Sequence, residues 1–542
     1  MAMRAHLSIV LFVVACGGNT RETAIPGHGG SDKDEQPRGA ALPISCDPAT
    51  QARFDRGFFL LHNMMYTQAR TEFEQAAKTD DKCAMLYWGI AMTWFQPLWS
   101  GQPTEQALQS GSDAIEKARS IAGTSERDLA YIAAAASYYR DWQKTDSPSR
   151  LRNWEAGQRE LASRYPDDVE AQAFWAVSSL ATADKYDKSY AQQLEVARSL
   201  EMMLEKRPEH PGLMHYLIHA YDNPAYAQHA AHLAKEYEDV APQAPHALHM
   251  PSHIEVRLGN WSEVIEWNIK SAAAAKDQPA EGGLVSRDYL HALDYLIYGY
   301  LQRGDDQNAK DVLGKIDPEI KYQPGFGPAA YALAAAPARF ALERGQWNEA
   351  AALTARWVDY SWEKFPWAEA VTHAARGLGA ARTGNMTAAQ GSIAELDRLE
   401  ALVDSQWWKD RVEIDRDVIS AWLAFNSGET KRAVELLTAA AAREIAAGKD
   451  SAEPGHVINA AEHLGFLLLE LKRPEEALEA FESALKDSPK RFNSLHGAAQ
   501  AAAAAALADK AKAYYSALVE ISAEGTERQG ARDAKAYLSG NH

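Results

Sequence analysis

A spacing of 34 residues recurs along this chain, and no other feature constrains its fold as much. Counted from Ile458, Leu464 and Gly465 take places 7 and 8, Ala477 place 20, Phe481 place 24, Ala484 place 27 and Pro489 place 32. Restarted at Phe492, the count puts Ala511, Tyr515 and Leu518 at 20, 24 and 27; from Thr50, Gly57, Ala69, Phe73 and Ala76 fall at 8, 20, 24 and 27. Small and apolar residues so placed mark two short amphipathic helices per unit, and neither can bury its apolar face without the next unit. With 542 residues, 46% of them hydrophobic, the chain can bury a large core, and a continuous array needs no separate globular domains.

This pattern resembles the tetratricopeptide repeat. The resemblance implies an all-α, right-handed superhelical solenoid of antiparallel helix pairs, and it specifies architecture rather than function. Further units start near Ala84, Pro211, Pro245, Leu290, Tyr331, Ala370 and Ile414, with joining turns at Gly259-Asn260-Trp261, Gly345-Gln346-Trp347 and Gly384-Asn385-Met386. The expected layout is N-terminal units over 46–96, an irregular or degenerate helical stretch over 97–210, His-rich units over 211–330 and C-terminal units over 331–542. The segments HPGLMHYLIHAYD (210–222) and HALHMPSHIEVRLGNW (246–261) further resemble those of a group of bacterial tetratricopeptide lipoproteins, which implies a fold and no reaction.

The first residues read as an address. Arg4, an apolar run from Leu7 to Ala15 and the junction Val13-Val14-Ala15-Cys16 resemble a lipoprotein signal (1–15) cleaved before a lipidated Cys16; a plain secretory peptide with an incidental cysteine is the alternative. Nine apolar residues are too few to span a bilayer. Gly17 after the cysteine favours an outer-membrane destination, on the periplasmic or surface face, and residues 16–45, rich in Gly, Pro and charge, read as a flexible tether. The membrane would then be met only through the lipid anchor. A formal charge of -18 argues against a nucleic-acid partner. Once Cys16 is lipidated, only Cys46 and Cys83 remain; in an oxidising compartment they are expected to pair across the first unit, unless Cys83 stays a buried free thiol.

Chemistry concentrates in the histidines. Eight of 17 lie between 210 and 253. In the geometry the resemblance implies, places 2, 5, 9, 12 and 13 of the first helix face the concave groove. His215 and His249 take place 5, His219 and His253 place 9, His246 and His291 place 2, and Asp294 place 5. Residues four apart on a helix can offer two imidazoles to one ion, so His215, His219 and His253, completed by His249 or Asp294 with His291 near, form a candidate site for Zn or Cu. Packing or ligand hydrogen bonds are the alternative role. Pro251 biases Met250 away from helical angles, which would start that helix only at Pro251 and leave His249 on the lead-in.

The same register puts Phe54, Phe58, Trp88 and Met92 on an apolar groove strip, expected either to bind a hydrophobic peptide segment or to pack against residues 97–210. Asn223 and Arg257, at place 13, could clamp a peptide carboxylate. No phosphate loop, GxSxG elbow or HExxH pair occurs, so no catalytic residue is nominated. The leading expectation is therefore a scaffold binding a protein or peptide in its groove. A metal-binding or metal-sensing protein comes second, and a metal-dependent hydrolase is a distant third.

Overall fold

The computed structural model describes residues 39–99, 103–278 and 280–540. Over this span the protein is an all-α array of antiparallel helix pairs. Each pair follows from local chemistry. Asp47 caps Pro48–His62 by accepting from the Ala49 amide, with Pro48 at the first helical position, and a three-residue turn leads into Tyr66–Ala77. Asn459 and Ser286 cap Ala460–Glu470 and Arg287–Gln302 in the same way. At the predicted turns Gly259, Gly345 and Gly384 take φ of +69°, +65° and +78°, a region that only glycine enters at little cost.

The repeat signature has a direct packing meaning. Phe73 lies between Gly57 and Gly89, and Phe481 between Gly465 and Gly497; a methyl group on any of the four glycines would come within 3 Å of the ring. The glycine places are small because the aromatic at place 24 fills them from both sides. Several helices begin earlier than the small-residue pattern indicated: Arg287 rather than Leu290, Gly327 rather than Tyr331, Pro366 rather than Ala370, Gln406 rather than Ile414. The Ser286 cap sets the first of these starts and prolines in the first turn set the next two, none of which the pattern weighs.

Residues 103–206 form helices Glu105–Ser120, Glu126–Tyr139, Ser147–Arg164, Val169–Thr182 and Ala191–Lys206, each packed on the next, so the array continues through this stretch. They also fill the N-terminal strip. Phe54, Phe58 and Trp88 are fully buried and Met92 nearly so; Phe174 stands 6.0 Å from Phe58 and 5.5 Å from Trp88, and Tyr131 5.8 Å from Trp88, ring centre to ring centre. The expected peptide-binding strip is thus covered by the chain itself. Burying such side chains stabilises by about 1.5–3 kcal/mol each, which exposure would forfeit.

The end of the expected tether is likewise docked: Leu42 is buried, the Ala41 amide donates to Glu170 and the Ser45 amide to Asp128. Cys46 and Cys83 form a disulfide with Cα atoms 5.3 Å apart, tying the entry of the first helix to the start of Ala84–Met92. Cys16 and residues 1–38 lie outside the described residues. No helix among the described residues is long and apolar enough to cross a membrane.

Contacts between remote units close the array. Trp261 donates through Nε1 to the Lys490 carbonyl at 2.9 Å, and Arg491 reaches Glu462 and Glu343. The segment from Lys449 to Asn459, between helices Thr430–Ala447 and Ala460–Glu470, is buried against helix Arg287–Gln302. There the Glu453 carbonyl accepts from Tyr295 and its carboxylate from Tyr331.

Candidate metal centre

Three consecutive units bring six imidazoles together. His215 and His219 lie on Pro211–Tyr221, His246 and His249 on Pro245–His249, His253 on Pro251–Leu258, and His291 on Arg287–Gln302. Pro251 does not displace His249. Met250 adopts φ -53° and ψ -39°, the chain stays helical through it, and His249 sits one turn before His253. A proline at the first position of the second segment gives up an amide bond without leaving the helical region.

The six rings fall into two sets, His215, His219 and His246, and His249, His253 and His291; within each set one ligand nitrogen per ring lies within 4.8 Å of the others. His246 therefore completes the His215–His219 pair in place of His253. Asp294 belongs to neither set: it is fully buried against Arg339, whose Nε donates to Oδ1 at 3.0 Å, and burial pushes its carboxyl up to about 6 despite that pairing. The register placed Asp294 correctly, but a cation from the next unit claims it.

Hydrogen bonds determine which nitrogens are free. His215 Nδ1 donates to the His62 carbonyl at 2.7 Å, and His253 Nδ1 to Asp222 Oδ2 at 2.9 Å. His249 Nδ1 faces Asn268 Oδ1 at 2.7 Å, while Asn268 Nδ2 donates to the Val264 carbonyl, so the proton in the first contact comes from the ring. His249 and His253 consequently both turn Nε2 lone pairs inward, and these two atoms are 3.1 Å apart. Two lone pairs at that distance repel unless a proton on one ring or a metal ion between them relieves the contact. With nitrogen–metal bonds of about 2.0–2.1 Å, the 3.1 Å separation subtends about 100° at an ion, close to tetrahedral. His215 and His246 repeat the approach, Nε2 to Nε2, at 3.2 Å. Beside them, His219 Nε2 and both ring nitrogens of His291 are buried with no hydrogen-bond partner.

Burial keeps these rings neutral. It lowers His215 to about 3 and drives His219, His246, His249 and His291 well below the ordinary imidazole value, with neighbouring histidines adding to the effect; His253 is lowered less because Asp222 opposes it. Neutral imidazole is the form that ligates metal, and the acceptors of the three Nδ1 protons, the His62 carbonyl, Asn268 and Asp222, are the kind of outer partner that orients such ligands.

Asp222 is itself held by Arg257 at 2.8 Å and Lys449 at 3.2 Å; burial pushes its carboxyl up, but the two cations and His253 outweigh it and keep it well below the usual range. Arg257 is thus committed internally. Asn223 is committed as well, its Oδ1 accepting from the Ala225 and Tyr226 amides to form the turn after Pro211–Tyr221. Neither side chain is available as the expected carboxylate clamp. A cleft of about 1100 Å³ opens beside the cluster; of the six imidazoles only His219 lines it, together with Asp222, Arg257, Lys449 and Trp99.

A second buried group, His62, Glu170 and His210, is closed by hydrogen bonds. His62 meets Glu170 at 2.9 Å and Tyr216 at 3.1 Å, and His210 meets Glu170 at 3.0 Å and the Leu213 amide at 3.2 Å. All four ring nitrogens are engaged, which suits a structural brace. No local pattern marks His62 or Asn268 as support for the cluster: His62 arrives from 153 residues before His215, and Asn268 from the helix that follows Pro251–Leu258.

No family model matches the chain, and no curated protein matches it. Among solved structures, a chain of the "Crystal structure of APC/C hetero-tetramer Cut9-Hcn1" is similar with a TM-score of 0.35 and 10% identity, over 90% of this chain and 84% of that one. A likeness of that degree carries over neither a site nor an activity.

Proposed function

We propose that this is a metal-binding protein of the bacterial cell envelope, holding zinc or copper in its buried histidine cluster. The reading rests on the His249–His253 pair, whose Nδ1 protons are committed to Asn268 and Asp222 while their Nε2 lone pairs face each other at 3.1 Å. Imidazole suits both metals, so ligand type alone does not choose between them. Export by a lipidated Cys16 belongs to the same proposal; replacing Cys16 with Ser should release the protein from the membrane fraction.

The deciding measurement is bound metal after titration with Zn and with Cu, in the wild type and in a His249→Ala, His253→Ala double variant. Wild type should retain metal through gel filtration and the variant should lose most of it. Equal content, or none in either, overturns the reading. A second reading, a scaffold for a protein or peptide partner, follows from the way helical arrays present extended surfaces and is favoured by the open cleft. It predicts a partner whose binding is indifferent to the double variant.

A further inference from the structure

We propose that the cluster holds two metal ions, one in each three-histidine set, and that the pair takes a small exogenous anion entering through the cleft at His219. This rests on the metal-binding reading above and adds to it a stoichiometry and a ligand class.

Six nitrogen donors exceed what one tetrahedral ion accepts, and the ligand nitrogens group as two sets of three, each within 4.8 Å, while the rings of the two sets lie side by side. Across them the nearest rings are His219 to His253, centres 5.7 Å apart, and His246 to His249, 6.1 Å apart. Within them, His215 lies 5.0 Å from both His219 and His246, His249 lies 4.3 Å from His291 and 4.9 Å from His253, and His253 and His291 stand 6.5 Å apart, so the nitrogens rather than the ring centres divide the sets. Three protein ligands leave a fourth position open on each ion. Rings from the two sets pack directly together, so one small bridging ligand can reach both open positions, as in other two-metal sites.

Charge supplies the second argument. All six ligands are neutral, and the acids nearest to them are already compensated, Asp222 by Arg257 and Lys449 and Asp294 by Arg339. Two divalent ions would bring positive charge into a buried site with no protein anion left to offset it, a costly arrangement. An anion from solvent removes that cost. The route is given by His219, a member of the first set whose Nε2 is buried without a hydrogen-bond partner and whose side chain lines the cleft beside Lys449 and Arg257. A water leaves when the anion binds, and no electron is transferred.

The test is copper content per chain in the Cu-loaded full-length protein, followed by titration with azide watched by absorption and electron paramagnetic resonance. Two ions per chain are expected, with azide producing a charge-transfer band and a loss of resonance intensity as the ions couple. His219→Ala should hold about one ion and lose the azide response; His219→Gln, which keeps the side-chain volume, guards against a folding defect and should behave alike. One ion per chain in the wild type overturns the pair and leaves the metal-binding reading standing. No ion overturns both. Two ions without an azide response overturn the exogenous ligand.

Discussion

At the scale of single residues, burial of neutral imidazoles has a consequence outside the cluster. His463 is buried, accepts a hydrogen bond from Trp422 Nε1 at 3.3 Å, and is lowered to about 3 by desolvation, with Arg382 and Arg491 adding to the shift. An unfolded histidine titrates near 6.5, so below that pH the unfolded chain binds a proton that the native state refuses. The stability this group permits is complete above about pH 6.5 and is lost as pH falls toward 3. Each unit crossed costs about 1.4 kcal/mol, so between pH 6.5 and 5 His463→Gln should lose about 2 kcal/mol less than the wild type. Denaturant unfolding at both pH values measures the difference, and parallel losses in the two proteins would show that His463 is not held neutral. Glutamine keeps an acceptor for Trp422, so the comparison isolates the charge.

At the scale of helices and units, the glycine–phenylalanine–glycine sandwich makes a sharp contrast. A methyl group at Gly497 would meet the Phe481 ring at 2.3 Å, whereas one at Gly391, on the exposed side of helix Met386–Glu400, meets nothing within 4 Å. Gly497→Ala should destabilise by about 1–3 kcal/mol through overpacking, while Gly391→Ala should stabilise by about 0.5–1 kcal/mol because alanine loses less backbone entropy in a helix. Thermal melting of both variants checks this, and equal tolerance would mean that the sandwich does not restrict place 8. This is also the level at which the chain was most legible. The 34-residue register locates helix pairs outside 97–210, and its helix-A places collect His215, His219, His246, His249, His253 and His291 on one face. What the register lacked was everything decided by contacts between units. It could not tell that Phe174 and Tyr131 cover Trp88, that Arg339 takes Asp294, or that His62, Asn268 and Asp222 fix the three Nδ1 protons. A proline restricts its predecessor on average, whereas the buried Met250 before Pro251 is helical.

At the scale of the whole molecule, repeat arrays ordinarily contact only their neighbours, so they can melt from one end and can gain or lose a unit with little disturbance. The Lys449–Asn459 segment changes that. Lys449 pairs with Asp222 and Lys185 with Asp450, spans of 227 and 265 residues, and Trp261 reaches Lys490 across 229. Elements so joined should open together. In native-state hydrogen exchange, the slowest amides of Arg287–Gln302 and Ala460–Glu470 should exchange with the same free energy, and distinct tiers of protection would show that the two parts unfold independently. The same stitching fixes the length of the chain between its ends. Inserting or deleting one 34-residue unit between Gln302 and Lys449 would carry the segment away from Tyr295, Tyr331 and Asp222, and three partners would be lost at once. A repeat architecture that could otherwise gain or lose whole units is here locked to one number of them.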